Sequence, residues 1–240
     1  MDLKIDPIGQ AIWDYKQGIR NQELLVHCSH TETDEIPIPY LFRSYKDMPA
    51  IEQKALDESK GKVLDIGAGA GCHAKHLQEK GLQVDAIEIS PLACKAMQAD
   101  GIQSVIQGNV YQLDLEQYDT ILLLMNGIGL AGNLDTLPLL LHKLSGALKP
   151  GGQILLDSSD ISYLYMDEDG SQWVDLNAKY YGELEYQFEY KSKKGNAFDW
   201  LFIDAKRLEE IAQKCALKFE ILLEGEHYDY LARLTKSIKA

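Results

Sequence analysis

The segment Val63-Leu64-Asp65-Ile66-Gly67-Ala68-Gly69-Ala70-Gly71 constrains this chain more than any other stretch of it. Val63, Leu64 and Ile66 fit a strand buried on both faces, as in a parallel sheet. The run then breaks into three glycines at alternate positions. Without a Cβ, glycine lets the backbone turn sharply and lets a ligand approach its amides closely. Residues 72–80 read as a helix whose N-terminus faces that ligand. Many nucleotide-binding folds contain such a turn, so the order of the following elements has to discriminate among them.

Residues 83–89 read as a second buried strand carrying Glu88 near its end. That carboxylate follows the glycine turn by about 20 residues, the spacing at which an acidic side chain receives the ribose hydroxyls of a nucleoside. Ser90 is a good helix N-cap, and Pro91 suits the first helical position. A short third strand at 104–107 precedes Gly108-Asn109-Val110, and a nearly all-apolar fourth strand spans 118–125. A helix over 134–148, the turn Lys149-Pro150-Gly151-Gly152 and a fifth strand over 153–157 complete the series. Strands alternating with helices of this length predict an α/β fold with a doubly wound parallel sheet and helices on both faces.

In this order VLDIGAGAG, AIEIS, GNV, YDTILLLMNG and LKPGGQILLD resemble the class I S-adenosylmethionine-dependent methyltransferases, of the small-molecule, bacterial-looking type, over roughly residues 61–157. The resemblance implies a Rossmann-like seven-stranded sheet, with strands 1–5 parallel and a C-terminal antiparallel hairpin. Residues 219–223 and 228–235, joined across Glu224-Gly225-Glu226 and preceded by a helix over 205–215, can supply that hairpin. It also implies S-adenosylmethionine as cofactor and methyl transfer as the activity. On that reading Asp65, Gly67, Ala68, Gly69 and Gly71 surround the amino acid end of the cofactor, with His73 close by. Glu88 accepts both ribose hydroxyls in charge-assisted hydrogen bonds. Ile89 and Val110 clamp the adenine, Asn109 stands where the family commonly has Asp for the adenine amino group, and Met125 and Asn126 line the methionine tail. Asn126-Gly127-Ile128-Gly129 differs from the N-P-P-Y of the amino-methylating DNA enzymes.

An NAD(P)-binding Rossmann oxidoreductase is the rival reading, since Glu88 and the glycines would serve it equally. Against it, Asp65 stands inside the strand where dinucleotide folds keep an apolar residue, and Cys72 stands where the third glycine of G-x-G-x-x-G belongs. The terminal hairpin is foreign to that fold as well. A non-catalytic S-adenosylmethionine-binding protein on the same fold remains open, because fold does not imply function.

Lys and Arg number 24 against 37 Asp and Glu, a net charge of −13. A surface this acidic repels phosphate backbones, so no nucleic-acid partner is expected. No apolar run reaches the ~18 residues of a membrane helix. No signal peptide opens the chain, and four cysteines without C-x-x-C spacing suit a reducing, cytoplasmic location. His27-Cys28-Ser29-His30 lacks a second ligand pair at suitable spacing, so no metal is expected. The sequence leaves the oligomeric state open.

The predicted organisation is an N-terminal helical extension or cap over 1–60, with an irregular Pro-containing middle, and a methyltransferase domain over 61–240. An insertion at about 158–203 holds more than half of the chain's Tyr, Phe and Trp residues. Within it, 183–190 alternates polar and aromatic residues, and the turn Lys193-Lys194-Gly195-Asn196 leads to a second strand over 196–203. This hairpin reads either as cross-strand aromatic packing or as a lid over the methyl acceptor. Tyr40, Arg43 and Tyr45 in the extension, with Tyr163 and Tyr165 in the insertion, are the substrate-binding candidates. A sulfonium is already a good leaving group, so alignment and water exclusion matter most. Asp157, Asp160 and Tyr165 are acid–base candidates by position alone, and the small-molecule acceptor stays unidentified.

Overall fold

The computed structural model describes residues 5–20, 22–165 and 179–237. Helix α1 (Pro7–Lys16) starts at Asp6, whose side chain accepts the Gly9 N–H at 2.9 Å. Strands β1 (Leu24–Cys28) and β2 (Asp34–Ile36) follow, then α2 (Ala50–Glu58). The alternating region comprises β3 (Lys62–Ile66), α3 (Cys72–Glu79), β4 (Gln83–Glu88), α4 (Pro91–Ala99), β5 (Val105–Gln107), β6 (Tyr118–Leu123), α5 (Leu137–Gly146) and β7 (Leu148–Ser159). After it come β8 (Glu183–Tyr190), β9 (Lys193–Lys194), β10 (Phe198–Leu201), α6 (Ala205–Lys214), β11 (Leu217–Glu224) and β12 (Asp229–Lys236).

Seven strands form the main sheet in the order β11-β12-β7-β6-β3-β4-β5. The pairs from β7 to β5 are parallel, and β12 runs antiparallel to both β7 and β11. This is the sheet the family resemblance implies. Neighbouring residues of β3 enter different cores: Leu64 and Ile66 pack into one apolar cluster, Val63 into the other. Both faces are therefore covered, which is why these strands read as continuous apolar runs. Ser90 caps α4 by accepting the Ala93 N–H at 3.0 Å. The Lys149–Gly152 turn lies inside β7, where the register against β6 jumps from Tyr118↔Leu148 to Thr120↔Gln153. Chain order reverses between β3 and β6, so the carboxyl ends of these strands open a crevice at the switch point.

The N-terminal extension departs from the mostly helical expectation. Its β1 pairs with β8 over five residues, from Leu24↔Tyr190 to Cys28↔Tyr186, and a second antiparallel sheet results in the order β10-β8-β1-β2, with β9 on β8. A two-stranded hairpin is marginal by itself, and a free strand edge invites unwanted pairing. The extension supplies the missing edge partner. Residues far apart in the chain thus build one small sheet, while α2 of the extension packs against the main sheet through Ile51, Ala55 and Leu56. Trp173 and its neighbours in the insertion lie outside the described residues.

Candidate active site

A cavity of about 640 Å³ opens at the carboxyl ends of β3, β4 and β6, with residues of the small sheet on its other side. Asp65, Gly67, Ala68, Gly69, His73, Glu88, Ile89, Asn109, Val110, Met125 and Asn126 all line it. Gly71 does not. Its φ is +83°, and a Cβ there would stand 2.3 Å from Ile102 Cδ1, so its glycine serves the packing of α4 and the turn.

Glu88 organises the glycine turn. One carboxylate oxygen accepts the Gly69 N–H and the other the Ser90 N–H, both at 2.9 Å. Burial pushes its pKa up, while these backbone donors favour the ionised form. Gly69 (φ +56°) would hold a Cβ with nothing nearer than the Gly67 carbonyl at 3.9 Å, so the space beside it is open. Across the cavity Met125 and Asn126 both take left-handed backbone, at φ 59° and 55°. Non-glycine residues accept that conformation only when their surroundings enforce it. Here Asn126 donates to the Leu201 carbonyl at 3.0 Å and accepts from Ser158 Oγ at 2.8 Å. Its side chain thereby ties β10 to the main sheet. Asn109 accepts the Tyr111 N–H at 2.9 Å, fixing the turn after β5.

Beneath the turn runs a buried chain of charges. The Arg43 guanidinium and His73 Nε2 both meet Glu52 Oε2, the latter at 2.7 Å. Burial raises the Glu52 pKa, but the bonds from His73 and Arg43 outweigh it and hold the group low. His73 lies well above the ordinary histidine value: burial opposes its charge, and Cys72, Glu52 and Asp65 more than offset that. Burial also pushes Asp65 upward. Asp65 Oδ2 and Arg43 Nε are buried without a hydrogen-bond partner among the described residues.

None of the five expected substrate residues lines this cavity. Arg43 is consumed by Glu52, and Tyr40 packs on its guanidinium with the ring centroid 3.9 Å away. Tyr45 stacks on His76 and donates to Asp57. Tyr163 stacks on Tyr228, and the Tyr165 hydroxyl donates to the Tyr181 carbonyl. Asp160 accepts the Tyr181 hydroxyl and the Ser162 N–H, so it holds a loop.

Asp157 stands behind Asn126, whose N–H it accepts at 3.0 Å, and burial pushes its pKa up to about 7. Between pH ~4 and ~7 the folded protein keeps a proton that the unfolded chain has released, so this group's contribution to stability falls as pH rises through that window. Asp157→Asn removes the cost. The variant should exceed the parent by on the order of 1–3 kcal/mol at pH 8, with the gain shrinking toward pH 4. Urea unfolding at four pH values tests this; a gain independent of pH would show that burial does not control the group.

Tyr186, Phe188, Phe198, Trp200 and Phe202 line the cavity from the small sheet, and Asp6, Ile8, Val26 and Leu41 from the extension. The aromatic alternation of 183–190 signals Tyr186 and Phe188, and the second expected strand over 196–203 carries Phe198, Trp200 and Phe202. Nothing local signals Asp6, whose carboxylate caps α1 and accepts from Ser90 Oγ at 2.5 Å.

A methyltransferase-domain family profile matches residues 40–214. A crystal structure of an S-adenosylmethionine-dependent methyltransferase from Bacteroides fragilis, in complex with S-adenosyl-L-homocysteine, is 45% identical, with 97% of this chain and 95% of that one covered and a TM-score of 0.92. The CcbJ methyltransferase from Streptomyces caelestis (14% identity, 81% and 95% covered, TM-score 0.62) shares the fold. So does the sugar N-methyltransferase KedS8 from a Streptoalloteichus species (16%, 78% and 85%, 0.54). No curated protein matches the sequence. With its sheet order and glycine turn, the chain belongs to the class I S-adenosylmethionine-dependent methyltransferases. No helix among the described residues is long and apolar enough to cross a membrane.

Proposed function

We propose that the cavity binds S-adenosylmethionine between the glycine turn and the small sheet, and transfers its methyl group to a small molecule enclosed beneath that sheet. The observation that carries this reading is Asp65 Oδ2, a buried acceptor with no partner at the head of the turn. Leaving such an oxygen unsatisfied costs about 1–3 kcal/mol, which a ligand ammonium would recover. Gly67 and Gly69 carry no side chain to block close approach to the turn, and Glu88 keeps a free lone pair on each oxygen for a ribose diol. Ile89 and Val110 would hold the adenine, with Asn109 beside its amino group, and Met125 would border the methionine tail.

Bound there, the cofactor supplies an electrophilic methyl carried on a sulfonium. The residues need only orient it, admit the acceptor and exclude water. The small sheet does the last of these, so residues 1–60 and the insertion act together as a cap. A net charge of −13 favours a neutral or cationic acceptor over nucleic acid, and a cytoplasmic setting fits the unpaired cysteines.

Calorimetry with S-adenosylmethionine, S-adenosylhomocysteine, NAD and NADP tests the assignment. Micromolar binding of the first two and none of the others is expected. Tight binding of a nicotinamide cofactor without any response to S-adenosylhomocysteine would overturn it.

A further inference from the structure

We propose that the methyl acceptor is an organic amine, selected by the aromatic panel of β8 and β10; this rests on the methyltransferase reading of the same cavity. Phe188, Phe198, Trp200 and Tyr186 form a continuous set of rings, with centroids 5.3 Å apart for Phe188–Phe198, 5.9 Å for Phe198–Trp200 and 6.5 Å for Tyr186–Trp200. Trp200 is held flat over Gly129, where a Cβ would come within 2.3 Å of the indole. The panel is therefore a fixed wall. Aromatic faces carry negative potential and attract ammonium groups.

The charges around the cavity have the same sign preference. Asp6, Asp65, Glu88 and Asp199 line it, while no Lys or Arg does among the described residues. Three of these carboxylates have other work. Asp6 caps α1 and holds Ser90, Glu88 holds the glycine turn, and Asp65 heads that turn. Asp199 is exposed and pairs with exposed Glu185, so alternation along β10 turns its side chain to the face opposite Phe198 and Trp200. The His73 cation on this wall is already paired with Glu52, so an acidic acceptor would meet no unpaired cation among the described residues.

Amine methylation also suits the groups available. The amine loses one proton to water, its lone pair forms the N–C bond, and the electron pair of the breaking C–S bond stays on sulfur. Positive charge thus passes from sulfur to nitrogen, and the π faces of the panel stabilise it there. An alcohol would instead need a base during attack. Two polar groups on the wall are committed elsewhere: His73 is bound to Glu52, and the Tyr111 hydroxyl donates to the Leu130 carbonyl.

The test is titration of the S-adenosylhomocysteine-saturated protein with benzyltrimethylammonium, benzyl alcohol and phenylacetate. The cation should bind at least tenfold tighter than the other two. Trp200→Leu should weaken the cation at least fivefold while changing S-adenosylhomocysteine affinity less than twofold. Trp200→Phe keeps an aromatic face and should retain most of the preference. Equal or tighter binding of the alcohol or the acid overturns the amine assignment even when S-adenosylhomocysteine binds. Failure of S-adenosylhomocysteine to bind overturns the methyltransferase reading instead.

Discussion

Glu52→Ala is expected to destabilise the protein by about 3–5 kcal/mol, the usual cost of breaking a buried ion pair. Glu52 is 4% exposed, Arg43 7% and His73 5%, so the change leaves two buried cations facing each other without their shared counter-charge. Desolvation already disfavours the His73 cation, and losing Glu52 removes one of the groups that hold its proton. The sign of the pH dependence follows. A histidine whose folded pKa is raised stabilises fully below its unfolded value, and that contribution fades as pH rises through the folded value. The deficit of the variant should therefore be greatest at mildly acidic pH and smaller in strongly alkaline buffer. Glu52→Gln keeps the volume and one acceptor and should lose less. Urea unfolding at matched m-values measures both. A loss under 1 kcal/mol for Glu52→Ala would mean that the charge chain contributes little to holding α2 against α3.

That charge chain marks the limit of what the sequence discloses. The parallel sheet is legible because burial on both faces leaves apolar runs and because each turn carries its own chemistry, as at Gly67–Gly69 and Ser90-Pro91. The terminal hairpin is legible for the same reason, although its first strand is longer, Leu217–Glu224, and its second lies one residue later, at Asp229–Lys236. In contrast, Leu24–Cys28 becomes a strand only because β8 lies beside it, and a strand made by a distant partner has weak local character. Arg43 has the chemistry of a ligand-binding residue. Its actual partner is Glu52, nine residues on in a helix whose pattern announces no ion pair. The aromatic alternation in 183–190 is visible in the sequence, and its rings pack across strands and line the cavity. Cutting out the hairpin would also strip β1 of its partner, so cofactor binding is not expected to survive that deletion intact.

The largest effect on ligand binding is expected at Glu88. Glu88→Ala should weaken S-adenosylhomocysteine by at least ~100-fold, since two hydrogen bonds to a charged group contribute roughly 1.5–3 kcal/mol each and 1.4 kcal/mol is a factor of ten. A second, separable loss follows from the geometry. The carboxylate is buried and holds the Gly69 and Ser90 N–H groups, so its removal orphans two donors at the turn. Each orphan costs about 1–3 kcal/mol when water cannot replace the partner, so the ligand-free protein should also melt earlier. Glu88→Gln retains a single acceptor oxygen and should fall between parent and Ala in both measurements. Calorimetry and ligand-free melting together divide the two roles. If Glu88→Ala melts early yet binds S-adenosylhomocysteine within threefold of the parent, Glu88 shapes the turn only and the ribose is held elsewhere. If binding collapses while the melting temperature is unchanged, water has satisfied the turn, and the carboxylate acts on the ligand alone.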